Sequence, residues 1–139
     1  MKDLLYISPL IEVRSSDLHG YGVFASRNIA EGETIEECVY FTIDFKIEDE
    51  KLNRYVFRRP YEPNSLNWMA SRFLNQADSA IVLGFGSIYN HSKEPNINYV
   101  QVPEDRIYKF FTTRPVSKDE ELCHNYNSSW SRKIRLENG

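Results

Sequence analysis

Leu83-Gly84-Phe85-Gly86-Ser87-Ile88-Tyr89-Asn90-His91-Ser92-Lys93-Glu94-Pro95-Asn96 joins an apolar lead-in to a polar motif. Ile81-Val82-Leu83 runs into the glycines at 84 and 86, which punctuate the backbone. Tyr89-Asn90-His91-Ser92 follows, then Pro95-Asn96. Asn90-His91-Ser92 also fits an N-glycosylation sequon, as does Asn127-Ser128-Ser129. A second motif lies far upstream, His19-Gly20-Tyr21-Gly22-Val23-Phe24, and a third far downstream, Glu121-Leu122-Cys123-His124-Asn125-Tyr126. Each alone is weak. A GxG triplet can be any hairpin turn, and Glu-Leu before an aromatic can be any amphipathic strand. Their fixed order across most of the chain carries the weight.

The elements around the motifs read as short strands. Leu10 to Arg14 alternates apolar and polar residues. Ser15 to Gly22 is a turn cluster, and Val23-Phe24-Ala25 resumes an extended pattern. Ala30 to Glu33 is a turn, and β-branched and aromatic residues predict a strand over Thr34 to Ile43. Residues 46–58 carry apolar positions at Ile47, Leu52, Tyr55 and Val56, a short amphipathic helix. Pro60 and Pro63 break the chain, and 64–80 is ambiguous between helix and strand. Tyr99 to Val102 and Lys109 to Thr113 read as a hairpin through Pro103-Glu104-Asp105, and Glu121 to Tyr126 as a final strand. The result is a mainly β domain with one or two short helices. Alternating βαβ units are lacking, and no GxGxxG opens a helix after a strand, which disfavours a dinucleotide-type fold.

The chain of 139 residues suits a single domain over 1–139, its motifs lying within about 10–130 and a polar tail at 131–139. Net charge is −3, against a general nucleic-acid binder and compatible with a basic protein or peptide partner. Nine tyrosines exceed what so small a core buries comfortably, so some should line a groove or channel. Cys38 and Cys123 lack zinc-site spacing and read as free buried thiols. Neither a signal peptide nor an apolar run long enough to span a membrane stands out, so a soluble intracellular protein is expected.

Taken together, the three motifs resemble the SET domain of protein-lysine methyltransferases: a GxG turn, an NHSxxPN segment and an ELxxxY segment. Gly32-Glu33-Thr34-Ile35 and Thr113-Arg114-Pro115-Val116 look like the family's spacers. The likeness covers about residues 10–126 and is nearest in character to the minimal SET proteins of bacteria and large algal viruses, which lack zinc-binding flanks. It implies a SET fold of several small sheets with short helices and a C-terminal pseudoknot. It implies S-adenosylmethionine as methyl donor, S-adenosylhomocysteine as product, and no metal. A homodimer is compatible with it.

The implied reaction is an in-line displacement by a lysine amine on a sulfonium methyl. The amine must be neutral against a reference pKa of ~10.4, which a desolvating aromatic channel and a nearby positive charge favour. Alignment supplies much of the rest, ~7–11 kcal/mol. By the resemblance, Tyr126 is the central catalytic residue, its hydroxyl near the transferred methyl. Tyr21 joins it as channel or cofactor wall. His19, Gly20, Tyr21, Gly22, Asn90, His91, Tyr126 and Trp130 form the cofactor site. The glycines allow close backbone approach. Asn90 offers an amide oxygen to the donor's ammonium group, and His91 its backbone to the adenine. Asn96 braces the motif loop. Tyr55, His124 and Trp130 belong to the substrate channel.

Two departures stand out. His124 replaces the family's usual Phe or Tyr, which leaves the number of methyls added open, and Trp130 stands alone where the viral form has a Tyr-Trp pair. The substrate expected is a basic protein, histone H3 first, with the enzyme acting in chromatin regulation. The alternatives are a ribosomal or bacterial chromatin protein as substrate, a SET-fold binding module without catalysis, or an extracellular glycoprotein resting on the sequons. No direct contact with nucleic acid or membrane is expected. Viral or eukaryotic origin would put the protein in the nucleus, bacterial origin in the cytoplasm.

Overall fold

Residues that favour extended backbone dominate most of the chain, and strands are what they form. The structure, a computed structural model, describes residues 2–43, 48–53, 55–58 and 79–126. Among these, nine strands and one short helix follow in chain order. They are β1 (Ile11–Ser15), β2 (Tyr21–Ala25), β3 (Thr34–Ile43), α1 (Glu50–Asn53), β4 (Val56–Arg58), β5 (Ser79–Val82), β6 (Asn90–His91), β7 (Ile97–Val102), β8 (Ile107–Thr112) and β9 (Glu121–His124). No helix among the described residues is long and apolar enough to cross a membrane.

The described residues form two units, the first from 2–39 and 83–126, the second from 40–82. In the first unit a four-stranded sheet runs in the order β1-β2-β9-β6. The last strand of the chain therefore lies inside the sheet. β9 is antiparallel to β2, through Val23↔Leu122, and parallel to β6, through Asn90↔Cys123 and His91↔His124. The same unit pairs the first part of β3 with β8, and β8 with β7, all antiparallel. A bulge between Thr34 and Glu36 adds one residue to β3 opposite β8. Val23, Ile35, Ile97, Ile107, Phe110 and Leu122 fill the core. Each such side chain contributes about 1.5–3 kcal/mol by leaving water.

β3 carries two consecutive carboxylates that are both buried, Glu36 and Glu37. Neighbours on a strand face opposite ways, so each needs its own partner. Glu37 finds one in the N-terminal segment. Ile7 bridges Glu36, the Glu37 N–H donates to the Tyr6 carbonyl at 2.7 Å, and the Ser8 N–H to the Ile35 carbonyl at 3.0 Å. Lys2 Nζ then reaches both Glu37 oxygens, at 2.7 and 2.6 Å. The partners of Glu36 lie in the candidate site.

In the second unit the rest of β3 pairs with β5 and β5 with β4. Tyr40, Ile43, Phe57, Ala80 and Val82 are buried there. The helix expected over 46–58 is shortened to Glu50–Asn53, started by Asp49, whose carboxylate accepts the Leu52 N–H at 2.9 Å. Val56 and Phe57 leave the helical spacing because they pair with Ile81 and Ala80. Long-range strand pairing overrides local periodicity here. Two further boundaries shift. Tyr21 and Gly22 belong to β2 rather than to the turn before it, and β9 stops at His124, leaving Tyr126 in a turn. Residues 59–78, most of the ambiguous segment, lie outside the described residues. The hairpin of β7 and β8 is present, with Arg106 at φ 56° closing its turn.

Candidate active site

All three motifs meet at one end of the four-stranded sheet. β6 lies beside β9, and β2 on the other side of β9, so topology alone brings Asn90, Glu121 and Gly22 together. The Asn90 amide nitrogen donates to the His19 carbonyl (3.1 Å), the Tyr21 carbonyl (3.2 Å) and Glu121 Oε1 (2.9 Å). Three acceptors around one NH2 fix the orientation of this amide, because its oxygen would be repelled there. The Asn90 oxygen accepts no hydrogen bond among the described residues. Gly22 is required by close approach: a Cβ there would stand 1.9 Å from Glu121 Oε1. Gly20 is required by conformation instead, at φ 48° with no atom near its missing side chain. Asn90 is buried and tied into this cluster, so it cannot carry a glycan.

Asn96 also locks β9. Its amide oxygen accepts the Cys123 N–H at 2.8 Å, and its amide nitrogen donates to the Glu121 carbonyl at 2.8 Å. Two asparagine side chains thus hold the start of β9, Asn90 at the Glu121 carboxylate and Asn96 at the backbone of Glu121 and Cys123.

Tyr126, two residues past β9, is half exposed and gripped at both ends. Its hydroxyl donates to the Tyr89 carbonyl at 2.6 Å, and its backbone N–H to His91 Nδ1 at 3.0 Å. The second bond requires an unprotonated Nδ1 on His91. The His91 ring lies 5.2 Å from the Tyr126 ring and the His124 ring 4.7 Å. His124 is buried, edge-on to Tyr99 at 5.6 Å and to Phe110 at 6.4 Å. Burial, and secondarily the nearby His91, pushes its pKa down to about 4. At neutral pH His124 is an uncharged ring in an aromatic wall.

Behind Tyr126 lies the second buried carboxylate. Tyr89 stacks on Phe110 at 4.8 Å and donates its hydroxyl to Glu36 Oε1 at 2.8 Å. Glu36 Oε2 accepts the Phe85 N–H at 2.8 Å. Burial raises the Glu36 carboxyl, and the bonds from Phe85 and Tyr89 draw it partly back. Burial and then the Glu36 charge hold the Tyr89 phenol well above its ordinary range, so it stays a donor. Both cysteines are buried and free, and burial pushes the Cys123 thiol up to about 12.

The structure thus brings His19, Gly20, Tyr21, Gly22, Asn90, His91, His124 and Tyr126 into one neighbourhood of the first unit. Tyr21 and His19 contribute through their carbonyls, and the Tyr21 ring is exposed. Tyr55 is exposed and belongs to the second unit. Trp130 lies outside the described residues. Three members were not singled out by sequence: Glu121, Tyr89 and Glu36. Glu121 and Tyr89 sit inside the quoted motifs. Glu36 has only the signal of adjacent acids within an apolar strand.

Comparison with known proteins agrees with this geometry. The SET domain family matches residues 20–127. A histone-lysine N-methyltransferase of Schizosaccharomyces pombe, specific for H3 lysine-37, is 29% identical over 86% of this chain and 74% of that protein. Among solved structures, the Plasmodium falciparum protein PFL0690c, a candidate histone methyltransferase, is similar with a TM-score of 0.63. That match has 26% identity over 89% of this chain and 98% of the other. SUVH6 of Arabidopsis thaliana, solved in complex with S-adenosylmethionine, gives a TM-score of 0.61 at 25% identity, over 87% of this chain and 29% of that one.

Proposed function

The chain belongs to the SET domain family, and from that premise we propose that it is a protein-lysine N-methyltransferase using S-adenosylmethionine. One observation carries the proposal. Tyr126 is fixed by its hydroxyl and its backbone beside a polar cluster of Asn90, Glu121 and the His19 and Tyr21 carbonyls.

The residues present fit the donor. A cationic amino-acid end calls for oxygen acceptors, and the cluster holds two carbonyls, a carboxylate and the Asn90 amide oxygen. The missing side chain of Gly22 makes room for the Glu121 carboxylate in that cluster. The donor, when bound, supplies an electrophilic methyl on a sulfonium. Tyr126 commits its hydrogen to the Tyr89 carbonyl, so towards a donor methyl its oxygen would act as an acceptor. His124 is neutral within a buried aromatic wall, and it is the desolvation there that favours an uncharged lysine amine. The aromatic wall excludes water and orients the amine for in-line attack.

The substrate we propose is a basic protein segment, histone H3 first. The acidic balance of the chain and the histone-specific Schizosaccharomyces pombe relative support it. A histone substrate would place the enzyme at chromatin. We take residues 1–139 as one catalytic domain with its motifs within about 10–130, acting without a metal, alone or as a homodimer.

The test is methyl transfer from labelled S-adenosylmethionine to core histones and basic protein extracts, with the modified residue located by mass spectrometry. Tyr126→Phe should lower the rate by roughly 100-fold or more while the donor still binds. Donor binding without transfer to any protein would favour a binding module. Absence of donor binding would end the methyltransferase reading.

A further inference from the structure

We propose that Glu36 and the Tyr89 side chain form a buried strut that positions the Tyr89 carbonyl and, through it, the Tyr126 hydroxyl. This rests on the reading of Tyr126 as the methyl-transfer tyrosine.

Tyr89 makes two bonds from opposite ends. Its carbonyl accepts the Tyr126 hydroxyl at 2.6 Å, and its own hydroxyl donates to Glu36 Oε1 at 2.8 Å. The phenyl ring between these ends is rigid and stacked on Phe110 with an interplanar angle of 27°. Both residues are almost wholly removed from water, each at 1% exposure. Moving the Glu36 carboxylate would therefore move the ring, the Tyr89 backbone and the acceptor of Tyr126 together.

The second Glu36 oxygen strengthens the case. By accepting the Phe85 N–H at 2.8 Å, one carboxylate holds both the start and the end of the segment 85–89. Within that segment Gly86 donates to the Leu83 carbonyl and Ile88 to the Phe85 carbonyl, so the turn is already formed by backbone bonds. Gly84 leaves room for the arrangement, since a Cβ there would come within 2.7 Å of Glu36 Oε2. A buried carboxylate is expensive in free energy compared with an apolar residue filling the same space. A turn that closes on its own bonds does not need it. What the carboxylate adds is a directional constraint on the Tyr89 hydroxyl. Glu36 touches no substrate in this arrangement and is a positioning residue.

The experiment uses the full chain with Tyr89→Phe, Glu36→Gln and the double variant Glu36→Val/Tyr89→Phe. Tyr89→Phe keeps the ring, its stacking and the carbonyl while removing only the hydroxyl. The two readouts are steady-state methyl transfer and the 13Cζ resonance of Tyr126 in tyrosine-labelled protein. The strut predicts that kcat falls about 10-fold in Tyr89→Phe, with KM for donor and peptide unchanged, and that the Tyr126 resonance shifts. Glu36→Gln, which keeps one acceptor for the phenol, should recover part of both. The double variant removes both polar partners and should fold even if a single variant does not, with the same kcat and resonance changes. An unmoved Tyr126 resonance, whatever happens to melting temperature, overturns the strut. A resonance that shifts in a protein without methyl transfer would support the strut and sink the reading of Tyr126 instead.

Discussion

Around Asn90 the side chains are held by directional bonds between polar atoms, whereas around His124 they are held by ring packing and the exclusion of water. The Asn90 amide has three acceptors within 3.2 Å, and one missing Cβ at Gly22 makes room for the nearest of them. His124 instead has rings of Tyr99, Phe110 and Tyr126 about it. The first region tolerates no added volume but accepts charge, since Glu121 is part of it. The second accepts volume changes among rings but penalises charge. A reaction that binds a cation at one end and needs a neutral amine at the other requires this contrast.

The largest expected effect lies at the apolar end. His124 has a pKa of about 4 in the fold against 6.5 as reference, so the unfolded chain takes up its proton first as pH falls. Its stabilising contribution is complete above pH 6.5 and is lost as pH falls toward 4. The loss is about 3 kcal/mol. Denaturant melts at stepped pH values should reveal that slope, and His124→Phe should flatten it. An unchanged slope in the variant would mean that the wall does not exclude charge.

At the polar end, Gly22→Ala forces the Glu121 carboxylate away from the Asn90 amide. We expect a loss of about 2 kcal/mol in stability, read by thermal or denaturant melting, and weaker donor binding by calorimetry. Gly20→Ala is the control for conformation without crowding. Its φ of 48° makes alanine strained by about 1 kcal/mol, while nothing is displaced. Should both variants cost the same, steric fit at Gly22 would not distinguish the polar end.

Much of this was legible in the sequence where a residue type has one job. The bounds of β3 follow from its β-branched and aromatic run, and the hairpin of β7 and β8 from its turn residues. The meeting of the motifs followed from the family resemblance, since no periodicity puts β9 between β2 and β6. What local patterns missed depends on distant partners. Ile47, Leu52, Tyr55 and Val56 keep a helical spacing, yet Val56 pairs with β5 across many intervening residues. Alternation along β3 would expose either Glu36 or Glu37, and neither is exposed, because Lys2 reaches one and Tyr89 the other. The burial of His124 likewise depends on β7 and β8, whose rings cover it.

The place of β9 has a consequence for how the protein is made. During synthesis β2 and β6 emerge long before their common neighbour, and each then has an unsatisfied edge. The Arg14–Asp119 ion pair spans 105 positions in the same manner. Contacts so distant in sequence form slowly, since the loop must close before any bond rewards it. Tyr126 lies two residues past β9, so a ribosome-bound chain cannot assemble the polar cluster and the tyrosine until this late segment has left the exit tunnel. Assembly of the polar cluster and completion of the sheet are therefore one event, and a nascent chain stalled before Glu121 would leave unpaired the edges of β2 and β6 that β9 covers.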